Sequence, residues 1–186
     1  IIFVIDGTSS MVPYAQSLQN SLKAVSRKLI KGKNNYRYGA LLYRDASEGN
    51  ANAANYTRDL SSNFNGVNTL LSKYLTPTFN KCNSDPEEAM YYGIKKAIER
   101  FDPPEGESNF VVLIGDCGNH NRTTYKDCSG KQSPDFTIVQ HQDLVNLMAR
   151  KNINLFAIQA HHQITTDVKP AYDAFRTQVE SLMKDV

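Results

Sequence analysis

The sequence predicts an α/β domain: a doubly wound, mostly parallel sheet with one short antiparallel edge strand and helices on both faces. Three observations carry that prediction. The chain opens on the apolar run Ile1-Ile-Phe-Val-Ile5, which ends abruptly at Asp6. Two more apolar runs, Asn109–Ile114 and Ile153–Ile158, have the length and β-branching of strands buried on both faces. Segments with helical apolar spacing follow each run, and strands alternating with helices build parallel sheets.

The elements read in order. After the first strand, Pro13–Ile30 places Leu18, Leu22, Val25 and Leu29 at helical spacing, and Gly32 stops it. Tyr36–Tyr43 reads as a strand, and Tyr56–Leu60 as a shorter, more polar edge strand. The Ala/Asn/Gly-rich stretch between them reads as a loop. Phe64–Leu75 and Glu87–Phe101 are amphipathic helices, the second stopped by Pro103-Pro104. The second buried strand, Asn109–Ile114, again runs into an acid, Asp116. The polar segment Cys117–Pro134 is longer than most connections, and such loops tend to be functional. Phe136–Lys151 reads as a helix, Ile153–Ile158 as a third buried strand, and Pro170–Met183 as a closing helix with Pro at its start.

Composition bounds the function. The 186 residues are 40% hydrophobic and 22% charged, which suits one globular domain spanning 1–186. Net charge is only +2, and no basic patch is interleaved with aromatics, so nucleic-acid binding is not expected. No apolar run approaches the ~20 residues that cross a membrane, so direct membrane insertion is not expected either. The numbering begins inside a strand without Met, which points to a domain excised from a longer protein.

The chemistry concentrates at strand ends. In open α/β sheets, ligands bind outside the carboxyl ends of the strands. Asp6, Thr8 and Ser10 stand there at alternating positions and offer only hard oxygen atoms, which suit Mg²⁺, Mn²⁺ or Ca²⁺ rather than zinc. A helix cap would explain one such residue, but not three. A second loop, Cys82-Asn-Ser84-Asp85-Pro-Glu87-Glu88-Ala89, and a third, Gly115-Asp116-Cys117-Gly118, belong to the same end of the sheet.

Together these three loops resemble the von Willebrand factor type A (vWA) domain and its metal-ion-dependent adhesion site, in a bacterial-like variant. Asp6-Gly-Thr8-Ser-Ser10 matches the family's Asp-x-Ser-x-Ser motif, with Thr for the first Ser. Val111–Asp116 matches its apolar strand ending in Asp, with Gly115 where Thr is common. Asp85 is the counterpart of the metal-facing residue in the middle loop, with Ser84 the alternative. Tyr43-Arg44-Asp45 also looks like bacterial members. The resemblance implies a cation held by Asp6, Thr8, Ser10, Asp85 and Asp116, directly or through water. It also implies a partner protein whose Asp or Glu completes the shell: an adhesion module, not an enzyme.

The remaining residues invite plainer readings. His120, His161 and His162 read as solvated loop histidines, and His141 as a surface helix residue. Cys117 and Cys128 bracket a ten-residue polar loop that a disulfide would pin. That bridge would place the domain outside the cytoplasm: periplasmic, cell-surface or secreted. A Cys82–Cys117 bridge and three separate thiols are the alternatives. Asn55-Tyr-Thr57 and Asn121-Arg-Thr123 fit the glycosylation pattern, which is short enough to arise by chance. No nucleophile elbow, dinucleotide loop or phosphate loop is present. The alternatives to adhesion are a scaffold in a bacterial envelope or secretion assembly, with or without metal, and a Mg²⁺-dependent phosphoester hydrolase.

Overall fold

Strand β1, Ile2–Asp6, is buried along its whole length, which fits a run with no polar residue before Asp6. A strand that is apolar on both faces must sit inside a sheet that is covered on both sides. In the computed structural model it does, paired in parallel with β2 (Tyr38–Tyr43) on one side and β4 (Asn109–Gly115) on the other. The structure describes residues 1–30, 36–46, 53–54, 56–61, 65–75, 86–120, 125–126, 132–133, 137–161 and 165–186.

The five-stranded sheet has the order β3-β2-β1-β4-β7. β3 (Tyr56–Ser61) is the antiparallel edge beside β2, and β7 (Ile153–Gln159) runs parallel to β4 at the other edge. This is the predicted doubly wound arrangement. The chain builds outward from β1 through β2 and β3 on one side, then from β4 to β7 on the other, so the winding reverses beside β1. The crevice at such a switch point is where open α/β sheets place their ligands.

Two apolar layers hold the sheet. On one face, Val4, Leu41, Leu113 and Leu155 pack with side chains of α3 (Met90–Phe101), α4 (His141–Arg150) and α5 (Lys169–Asp185). On the other, Phe3, Ile5, Ala40, Leu42 and Ile114 pack with Leu22 of α1 (Ala15–Ile30) and with Val67, Leu70 and Leu71 of α2 (Asn65–Tyr74). Each fully buried aliphatic side chain contributes roughly 1.5–3 kcal/mol.

Several expectations need correction. The first helix is preceded by a 3-10 segment, Ser9–Tyr14, that contains Pro13. Proline tolerates such a tight turn but cannot donate within a regular helix. α3 begins at Met90, not Glu87, because the residues before it form an extended bridge, Glu88 opposite Asn119. β7 is an edge strand rather than a fully buried one: Phe156 and Ile158 are 54% and 55% exposed. Within the long polar segment, Tyr125–Lys126 and Gln132–Ser133 pair as a small antiparallel ladder, β5 and β6.

Candidate cation site

Asp6 is the last residue of β1, and its carboxylate organises the turn that follows. Oδ1 accepts the Thr8 backbone N–H at 2.8 Å and the Thr8 hydroxyl at 2.6 Å. The Thr8 and Ser10 hydroxyls lie 3.1 Å apart. The Asp-x-Thr-x-Ser spacing thus gathers its three side chains into one cluster, as the sequence predicted.

Asp116 follows β4, the parallel neighbour of β1, so the two acids stand at adjacent strand ends and Asp116 acts electrostatically on Asp6. Both residues are fully buried. Burial, then the neighbouring Asp116 charge, pushes the Asp6 carboxyl well above the usual carboxylate range, against the pull of the two Thr8 hydrogen bonds. A buried Asp6 carboxylate beside another acid is costly, and a cation there would relieve it.

Beneath them lies Tyr43, the last residue of β2, also fully buried. Its phenol is pushed up by burial and by Asp6, Asp116 and Glu88, and its hydroxyl has no hydrogen-bond partner among the described residues. Tyr43 explains why Gly115 stands where a larger residue would be expected. A Cβ at Gly115 would collide with the Tyr43 hydroxyl and crowd Phe175 at 3.2 Å and Asp6 at 3.4 Å.

The loop after Asp116 is clamped by α5. Gly118 N–H donates to the Ala171 carbonyl at 2.8 Å, and the Asn119 backbone exchanges hydrogen bonds with the Gln178 amide at 2.6 and 3.1 Å. A Cβ at Gly118 would sit 2.7 Å from the Phe175 backbone nitrogen. Glycine is what permits so close an approach. Gln159 adds a brace by donating to the carbonyls of Asp116 and Tyr172.

The structure therefore brings together Asp6, Thr8, Ser10 and Asp116. Asp85 and its alternative Ser84 lie outside the described residues. Sequence reasoning missed three participants: Tyr43 as the floor, Glu88, and the buried pair His120–Asp45, whose Nε2 and Oδ1 are 3.7 Å apart. His120 was expected in solvent, but it is 4% exposed. Its backbone N–H donates to the Glu88 carbonyl, which draws it inward. His161 is exposed as expected and bonds Tyr172. His141 bridges Tyr91 and Asp185 on the surface.

Cys117 is a free, buried thiol, its pKa raised by burial and then by Asp116. The expected Cys117–Cys128 bridge is thus not formed: Cys117 is a buried thiol on which Asp116, Glu88 and Asp6 act. Cys82 and Cys128 lie outside the described residues. The residue-level argument for an extracytoplasmic position goes with the bridge.

The donor set fits a hard divalent cation. Among the described residues, Asp6 Oδ2 is buried without a hydrogen-bond donor, and the hydroxyl and carboxylate oxygens around it are the ligand types Mg²⁺, Mn²⁺ and Ca²⁺ accept. Among the described residues, no three His, Cys, Asp or Glu side chains form a closed metal cluster. Hydroxyls and waters would have to complete the shell.

The comparisons agree with the fold. A family model described as "TssR protein VWA domain" matches residues 1–186. No curated protein matches the chain in sequence. Among solved structures, the chain is similar to proximal thread matrix protein 1 from the mussel byssus, at 15% identity and a TM-score of 0.52 over 100% of this chain and 44% of that one. It is also similar to the pilus adhesin SpaC from Lactobacillus rhamnosus GG, at 13% identity and a TM-score of 0.52 over 99% and 30%. Conserved hypothetical protein BatB from Bacteroides thetaiotaomicron aligns at 16% identity over 98% of both chains, with a TM-score of 0.45. The chain spans less than half the length of the first two, and at such identities the likeness concerns the fold alone.

Proposed function

The chain belongs to the TssR VWA domain family, and on that footing we propose that it is a protein-binding module whose contact point is a divalent cation at the end of β1 and β4. Asp6, Thr8, Ser10 and Asp116 would hold the ion, directly or through water, with Asp85 or Ser84 supplied by the middle loop. Mg²⁺ suits the site because it keeps several waters and needs few direct carboxylates. When bound, the ion supplies an electrophilic position that an outside carboxylate can fill. An Asp or Glu of the partner protein is the group that would fill it.

The observation that carries this reading is the Asp6–Thr8–Ser10 cluster facing Asp116, with a buried Asp6 oxygen left without a donor. The chain's own residues do two things here. Asp6 fixes the turn and orients the Thr8 hydroxyl, and the α5 clamp holds the Asp116 loop in place. The reading is of a binding site rather than a reaction centre. The phosphoester-hydrolase alternative would want a second carboxylate where the first motif instead spends Thr8 and Ser10.

The test is capture of partners by the full-length parent protein, in Mg²⁺ and in EDTA, beside an Asp116→Ala form. Capture should require the metal and be lost in the variant. A partner held equally well in EDTA and by Asp116→Ala would put the interface elsewhere on the domain.

A further inference from the structure

We propose that Glu88 is a carboxylate of the cation site, acting on a bound ion through a water that its Oε2 receives. This rests on the cation-site reading above and adds to it a residue from the middle loop.

Placement is the first ground. Glu88 precedes α3 in an extended segment whose N–H donates to the Gly118 carbonyl at 2.9 Å. Its own carbonyl accepts the His120 N–H at 3.2 Å, and it forms a bridge with Asn119. Glu88 is thereby fixed by its backbone to the same loop that carries Asp116. The Ala89 N–H donates to the Arg44 carbonyl at 2.9 Å, which ties the segment to the end of β2 as well.

The second ground is an unmet hydrogen-bonding need. Glu88 is 2% exposed, and its Oε2 has no hydrogen-bond partner among the described residues. The charged groups that act on it are Asp6, Asp45 and Asp116, all acids, and the Thr8 hydroxyl is the donor beside it. That hydroxyl already gives its single proton to Asp6 Oδ1 at 2.6 Å. A buried carboxylate oxygen left in this state is costly, and either a proton on Glu88 or a donor facing Oε2 relieves it. Waters on Mg²⁺ or Mn²⁺ are strong donors, and Mg²⁺ retains several of them.

The experiment uses Mn²⁺ as the probe, titrated by calorimetry into the metal-free chain and into E88Q, E88D and Asp6→Ala. Thermal melts are recorded for each with and without Mn²⁺. Loss of an outer partner of a metal site typically weakens affinity about 10–100-fold, and E88Q should weaken Mn²⁺ binding by that factor. Metal-free E88Q should melt no lower than wild type, since the amide fills the same volume, and it should gain less from added Mn²⁺. E88D, which keeps the charge, should retain more affinity than E88Q. A part in folding alone would instead lower the melt with and without metal and leave the affinity within about threefold of wild type; that result overturns the assignment. If wild type binds Mn²⁺ and Asp6→Ala does not, while E88Q binds normally, only the role of Glu88 falls. If wild type takes up no Mn²⁺, the cation-site reading falls with it.

Discussion

At the scale of single residues, the site is a set of buried acids balanced by very few donors. Asp6 satisfies one oxygen with Thr8 and leaves the other bare, and Glu88 leaves Oε2 bare. Both carboxyls are pushed well above the carboxylate range, mainly by burial. The sign of the consequence follows. A carboxyl with a folded value above its unfolded one favours the folded state fully at pH below the unfolded value, and that contribution is lost as pH rises through the folded value. The metal-free domain should therefore melt higher in mild acid than at neutral pH. Saturating Mg²⁺ should flatten the trend by raising the neutral end. Melts across this range, with EDTA and with Mg²⁺, check it, and a metal-free melt that rises toward neutrality would contradict it. Gly115 gives a second prediction. Gly115→Ala should destabilise by about 1–3 kcal/mol through overpacking against Tyr43. Adding Tyr43→Phe should recover part of that loss, because the colliding atom is the phenol oxygen. Denaturant titration of the two single variants and the double variant measures the recovery.

At the scale of elements, legibility in the sequence followed how much of an element's surroundings its own residues declare. β1 was readable because an apolar run ending in an acid states both burial and terminus, and it is buried to its end at Asp6. β4 was placed correctly but is only half-buried at Asn109, Phe110 and Val112 and ends at Gly115, one residue before its acid. Thr8 and Ser10 were readable because their spacing from Asp6 is local. Glu88 was not, since helical periodicity runs backward through Ala89 and absorbs it. The extended conformation that exposes Glu88 to the site depends on pairing with Asn119, thirty-one residues away in the chain. The signal available was a pair of acids directly before an apolar helix start. β7 misled in another way: an apolar run does not say whether both faces will be covered. α1 and α2 pack with the β1 and β2 side of their face, while Phe156 and Ile158 at the far edge stay more than half exposed. Ile158→Ala should then cost less than about 1 kcal/mol, whereas Ile114→Ala, buried on the same face, should cost about 2–5 kcal/mol. Equal losses would mean that the edge is covered in solution.

At the scale of the whole molecule, the sheet order turns two distant sequence motifs into one site. β1 and β4 are neighbours only because the winding reverses at β1, and their carboxyl ends then set Asp6 beside Asp116. The α5 clamp on Gly118 and Asn119 and the Gln159 brace hold the Asp116 loop in place, so a bound ion would meet that loop preformed. Preorganisation of this kind is what lets a single ion contribute to specific binding. The most direct measurement is calorimetric titration of Mg²⁺ and Mn²⁺ into the metal-free domain and into Asp6→Ala. The account predicts one ion per chain in the wild type and none in the variant, with the variant still folded by circular dichroism. Unchanged affinity in Asp6→Ala, or no uptake by the wild type, would contradict it.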